Sequence, residues 1–155
     1  RCAGQPGCHY FIRKGECYHM LNQVSVFAEN TKGALRKMTA VLAAANINIY
    51  SMLASDSAEF GIIRLVLTDP ERAVEELKQA GYQCHIDKVI AVEMGDTPGS
   101  LDQILNHLCE ANVSLDYLYI SYDRQASRPV VIFKTQEPEA ETFLRGKGYK
   151  LVDKF

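Results

Sequence analysis

The sequence predicts an α+β protein made of two βαββαβ units, each an antiparallel sheet with helices on one face, and three observations carry that prediction. The stretch "AENTKGAL" (28–35) returns in altered form as "MGDTPGSL" (94–101). Strand-like and helix-like apolar periods follow each copy in the same order. Residues suited to turns and helix caps fall at the junctions between those periods.

Setting Asn30 against Asp96 gives an offset of 66 that holds through the first helix of each copy. Thr31 meets Thr97, Gly33 meets Gly99, Leu35 meets Leu101, Leu42 meets Leu108, Ala45 meets Ala111 and Asn46 meets Asn112. Further on, "AGYQC" (80–84) answers "KGYKL" (147–151) at an offset of 67.

In the first copy, residues 24–28 read as a strand, and Leu35, Met38, Leu42 and Ala45 form one stripe of a helix. Residues 47–54 and 60–68 read as two further strands, joined through the polar corner "SDSAEFG". Asp69 is placed to cap a second helix, with Pro70 at its first position, Ala73, Val74, Leu77 and Ala80 inward, and Gly81 as its stop. A strand over 82–86 closes the copy. The second repeats the order: strand 89–94, helix 99–111, strands 113–122 and 129–135, helix 138–146 and strand 149–153. This is the ferredoxin-like, split βαβ arrangement, twice over. Units of about 65 residues bury a modest fraction of their surface, so the two are expected to pack as a pair.

The domains expected are therefore 20–87 and 88–155, behind an extension of residues 1–19. Met20 stands where the ordered pattern begins, so that extension reads as an expression artefact or the product of a misplaced start. A short strand over 10–13 is the alternative.

Composition narrows the function. Of 155 residues 47% are hydrophobic and 23% charged, as in a folded globular protein. The formal charge of −2, with no basic block, argues against nucleic acid or an anionic membrane as the partner. No apolar run reaches the roughly 20 residues of a membrane span, and the expected location is cytoplasmic. Cys2, Cys8, His9, Cys17 and His19 offer zinc-binding groups, but their spacing matches no common zinc module, so no metal and no cofactor are expected.

The combination of βαββαβ order with a duplicated "N/D-T-x-G" corner, Leu two residues after the glycine, and "AN(I/V)" at the helix end resembles the ACT domain family. The resemblance covers residues 20–155. ACT domains are small ligand-sensing modules that work with enzymes of amino-acid metabolism, so it implies a regulatory, allosteric protein that binds a free amino acid or similar zwitterion at a module interface. It also implies a homodimer and a partner enzyme. The ligand residues implied are Asn30, Thr31, Gly33, Ala34, Leu35, Asn48 and Ile49. In serine-sensing members the pair corresponding to Asn30 and Asn48 holds the amino and carboxyl groups of the ligand. Ala28 stands where some members place a histidine, so the amino acid itself is left open. The second copy offers Asp96, Thr97, Gly99, Ser100, Leu101 and Ser114, with an acid for Asn30 and a serine for Asn48; it binds in another orientation or serves as scaffold.

The physical chemistry of such a corner agrees. The first N–H groups of a helix have no partner within it and favour negative charge, so a carboxylate fits beside Gly33 and Leu35. A plainer reading stands beside this one: Gly33 and Gly99 as turn residues, and Asn30 and Asp96 as N-caps. Tyr117, Tyr119 and Tyr122 read as strand packing, and Arg124 and Arg128 as solvated.

No catalytic constellation is legible. His9, His19, His85 and His107 lie in no nucleophile–base or metal-pair spacing, and "ENTKGAL" lacks the GK[ST] of a phosphate loop. An acylphosphatase-like hydrolase needs an arginine in a glycine-rich loop, whereas Arg36 falls inside the predicted helix. The expectation is a non-catalytic sensor; the alternative is a subunit that regulates a partner enzyme through protein contact alone.

Overall fold

The structure, a computed structural model, describes residues 10–13, 16–55 and 60–155. The chain divides into two compact units: a first, Asn22–Asp87, and a second, Lys88–Phe155, to which the described residues up to Leu21 belong. Its elements are β1 (Tyr10–Arg13), β2 (Glu16–His19), β3 (Leu21–Glu29), α1 (Ala34–Ala44), β4 (Ile49–Ser55), β5 (Phe60–Leu67), α2 (Pro70–Gln79), β6 (Gln83–Glu93), α3 (Ser100–Glu110), β7 (Tyr117–Asp123), β8 (Arg128–Lys134) and α4 (Glu139–Gly146). Strand order in the first unit is β4-β5-β3-β6 and in the second β6-β8-β7, β6 giving residues to each. The expected α+β architecture, twice βαββαβ, is the one observed.

Alternation along the strands builds each core. Val24 pairs with Leu65 and Val26 with Ile63 on the face of β3 and β5 that meets Met38 and Leu42 of α1 and Leu77 of α2, all buried. In the second unit Ile90 pairs with Phe133 and Val92 with Val131, against Ile104, Leu108 and Leu144. Burying one such side chain stabilises by about 1.5–3 kcal/mol.

The helix ends explain much of the repeated motif. In α1 the N–H of Ile47 donates to the Leu42 carbonyl and that of Asn46 to Ala43, with Asn46 at φ 56°. This is a Schellman stop, which needs a residue tolerant of the left-handed region followed by an apolar one. Asn112 and Val113 do the same for α3, Gly81 and Tyr82 for α2, and Gly148 and Tyr149 for α4. The "AN(I/V)" and "GY" signatures are therefore stop signals.

Several expectations are corrected. Asn30 and Asp96 are not the N-caps: α1 and α3 start from Gly33 (φ 81°) and Gly99 (φ 91°), with no side-chain cap bond. A left-handed turn residue is needed to swing the chain into the helix, and that demand displaces the side-chain cap. Asp69 does cap α2, its Oδ1 accepting from the Arg72 N–H at 3.1 Å. The expected strands 82–86 and 89–94 are one strand, β6. The strand expected from 113 begins only at Tyr117, after Ser114 and Asp116 have given their N–H groups to Glu137 and Lys134. The last strand shrinks to a bridge between Val92 and Leu151. Tyr119 and Tyr122 lie on opposite faces of β7, 8% and 50% exposed, so the tyrosines form no common stripe. Residues 10–13 are the strand weighed as the alternative, paired with β2. The corner residues 56–59 and the zinc candidates Cys2, Cys8 and His9 lie outside the described residues.

Candidate functional site

At the end of β3 the large pairs of the core give way to a small one. Val24–Leu65 and Val26–Ile63 are followed by Ala28–Gly61, and Ala54 of β4 stands opposite Ile63. Residues paired across antiparallel strands share a face, so three of the smallest side chains meet under the first turn of α1. The space they leave is a cleft of about 260 Å³. Ala28, Ala54, Gly61 and Ile63 line it from the sheet, Ala34 and Leu35 from α1, and Glu29, Asn30, Thr31 and Ser55 from the strand ends and the turn. Leu35 is 38% exposed, large for a leucine at a core-facing position.

Four of the expected ligand residues, Asn30, Thr31, Ala34 and Leu35, thus come together. The turn is held by backbone bonds from Thr31 N–H to the Glu29 carbonyl (2.8 Å) and from Ala34 N–H to the Thr31 carbonyl (3.1 Å). One first-turn donor is used there; those of Leu35 and Arg36 have no acceptor within the helix. A Cβ on Gly33 would meet nothing within 4 Å, so the glycine answers to the backbone's φ and not to a close approach.

Asn48 and Ile49 are elsewhere. Ile49 pairs with Leu67 at one end of β5, whereas Ser55 pairs with Ile62 at the other, and the cleft lies at the Ser55 end. The Asn48 N–H donates to Thr68 Oγ1 and its carbonyl accepts from Thr68 N–H, each at 3.1 Å. The length of α1, roughly 16 Å, separates it from Asn30. Asn48 and Ile49 instead line an open groove of about 460 Å³ beside α1, with Arg36, Thr39 and Ala43.

The second copy of the corner carries larger residues. The Met94 N–H donates to the Pro129 carbonyl at 3.0 Å, continuing the pairing of Val92 with Val131, and Ile120 stands opposite Val131. Met94, Pro129 and Ile120 therefore occupy the places of Ala28, Gly61 and Ala54, and Met94 and Leu101 pack against the core. Thr97 and Ser100 close the turn through their hydroxyls, 2.9 Å apart. Asp96 and Gly99 are exposed there, and Ser114 is exposed beyond the far end of α3.

Glu29, Ala54, Ser55 and Gly61 were not singled out in the sequence, because cross-strand register decides which residues of β4 and β5 share a face with Ala28. A polar chain on β3 and β6 was missed for the same reason. Gln23 donates to Ser25 Oγ (3.3 Å), Ser25 Oγ donates to Asp87 Oδ2 (2.7 Å), and His85 Nε2 lies 3.1 Å from the same oxygen. Serine and histidine both converge on the carboxylate; a nucleophile relay requires the imidazole between hydroxyl and carboxylate. Among the described residues no His, Cys, Asp and Glu cluster could hold a metal, and no helix is long and apolar enough to cross a membrane.

A family model described as an ACT domain pair matches residues 19–147. The chain belongs to the ACT domain pair family. Among solved structures this ACT pair is similar to protein BT0572 from Bacteroides thetaiotaomicron, at 28% identity and a TM-score of 0.80, over 87% of this chain and 93% of that one. It shares its fold with the regulatory subunit of aspartate kinase from Thermus thermophilus in its ligand-free form, at 13% identity, TM-score 0.61, over 82% and 90% of the two chains. The same subunit from Thermus flavus gives 14% identity and a TM-score of 0.59, over 80% and 88%. No curated protein matches the ACT pair.

Proposed function

We propose that this ACT pair is a non-catalytic cytoplasmic sensor that binds a free amino acid in the cleft of its first unit and passes that event to a partner enzyme. The observation that supports it is the cleft itself: it joins an apolar floor to a helix N-terminus and to the polar strand end at Glu29 and Asn30. A zwitterion suits that polar end, its carboxylate being favoured at the helix N-terminus.

Asn48 belongs to this site only if a second copy of the chain supplies it, since within one unit it sits a helix length away. The reading therefore includes a homodimer. The second corner, with Asp96, Thr97, Gly99, Ser100 and Leu101, acts as scaffold, and so does Ser114 beyond the far end of α3. That the proteins of like fold include regulatory subunits of aspartate kinase is in keeping with a regulatory role.

A subunit acting by protein contact alone is favoured by Ile120 and Tyr122, exposed on β7. One experiment separates the two readings. Thermal denaturation against the twenty amino acids should show a selective rise, since ligand at about 100 times its Kd adds about 2.7 kcal/mol. Asn30→Ala and Asn48→Ala should each weaken it, and ligand should shift the chain toward dimer in sedimentation. No rise with any amino acid leaves the contact-only reading in place.

A further inference from the structure

The geometry points to an aliphatic amino acid, of the valine, isoleucine, leucine and methionine class, as the ligand of the first-unit cleft, with Ala28, Ala54 and Gly61 as the positions that set its specificity. This rests on the cleft being the amino-acid site proposed above.

The lining is divided by chemistry. Its polar residues, Glu29, Asn30, Thr31 and Ser55, lie at the strand ends and the turn beside the helix N-terminus, the end that suits the zwitterionic part of a ligand. What remains for a ligand side chain is apolar: Ala28, Ala54, Gly61 and Ile63 on the sheet, with Leu35 over them. Among the described residues no cation lines the cleft, so an acidic side chain finds no partner there. A basic one would set its charge against an apolar floor, at a cost.

The second unit carries larger residues around the same corner. In the places of Ala28, Gly61 and Ala54 it has Met94, Pro129 and Ile120, and the methionine packs against the core cluster. Leu101 is half-buried and packs against that cluster too, and its counterpart Leu35 is 38% exposed. An aliphatic ligand in the first unit would take the place that Met94 takes in the second. The site is thus a core position left open, with the missing side chain supplied by the ligand.

Isothermal titration of the whole chain with each of the twenty amino acids tests this, together with two variants that copy the second unit, Ala28→Met and Ala54→Ile. Each methylene buried is worth about fourfold in affinity, so valine or isoleucine should bind at least about tenfold more tightly than alanine or serine. Both variants should lose binding at 100 times the wild-type Kd while keeping the wild-type circular dichroism spectrum. Ala54→Ile lies at an exposed edge position and decides the matter if Ala28→Met does not fold. Tighter binding of serine, aspartate or lysine overturns the aliphatic assignment and leaves the amino-acid reading standing. Undiminished binding in a folded variant overturns the location, and no binding by any amino acid removes the sensor reading itself.

Discussion

Replacing Gly33 by alanine separates the two roles a glycine at this corner can have. Its φ of 81° lies where an L-residue is disfavoured by about 1–2 kcal/mol. Alanine also stiffens the unfolded chain, which returns roughly 0.4–1 kcal/mol. No atom lies within 4 Å of the added Cβ, so no steric cost is added and the net loss should be about 1 kcal/mol. Urea denaturation followed by circular dichroism should show that loss, and melting should fall by about 2–8 °C according to the size of the cooperative unit. Gly33→Asn should recover about half, because asparagine tolerates this conformation. Gly99→Ala, at φ 91° in the corner proposed not to bind, should cost the same. Affinity of Gly33→Ala for the amino acid selected by titration should stay within threefold of wild type. The reasoning is refuted if Gly33→Ala leaves stability unchanged while affinity falls more than tenfold, for then the glycine serves the ligand and not the turn.

Three further outcomes are expected. Asp69→Ala should lower stability by about 1 kcal/mol through loss of the cap on the Arg72 N–H, and Asp69→Asn should retain most of it, both measured by urea melts. Leu77→Ala, at a fully buried position, should cost about 2–5 kcal/mol, whereas Leu35→Ala should change stability by less than about 1 kcal/mol and act on ligand affinity instead. Burial raises the pKa of the Cys84 thiol, Lys78 opposing in part, so the native state holds that proton where the unfolded chain releases it, from about pH 8.5. The native state then binds more protons than the unfolded one, and stability falls as pH rises through that window toward the folded pKa. The stability gap between wild type and Cys84→Ala should therefore narrow between pH 7 and pH 10; a constant gap refutes it.

How far the fold was legible can be traced to particular residues. The stripe of Met38 and Leu42, the cap at Asp69 with Pro70, and the stop at Gly81 are local patterns, and each appears where expected. Local patterns do not say when two strands run together. Ile86 and Val89 fall in one strand because nothing between them breaks the chain, and a two-residue gap carries no turn signal. The site was legible only in part for a related reason. Asn30 to Leu35 is one contiguous turn, so its residues had to lie together. Asn48 follows α1 in sequence, and a helix of that length carries it to the far end of the unit. Ala54 and Gly61 join the cleft through register alone.

The two copies differ in the way these constraints predict. Gly33 and Gly99, Asn46 and Asn112, and Gly81 and Gly148 all sit at positive φ, where most side chains are strained, and each pair is identical. Backbone dihedrals at the entry and exit of a helix leave few residue types. The pair at the mouth of the sheet differs between the copies: Ala28 with Gly61, where a Cβ would come within 3.1 Å of the Ser55 carbonyl, and Met94 with Pro129. A duplicated module can therefore keep its fold signature in full while the residues beside one corner are small and those beside the other are large. The short motif that marks the corner reports the turn, and the residues opposite it on β4 and β5 report whether anything can bind there.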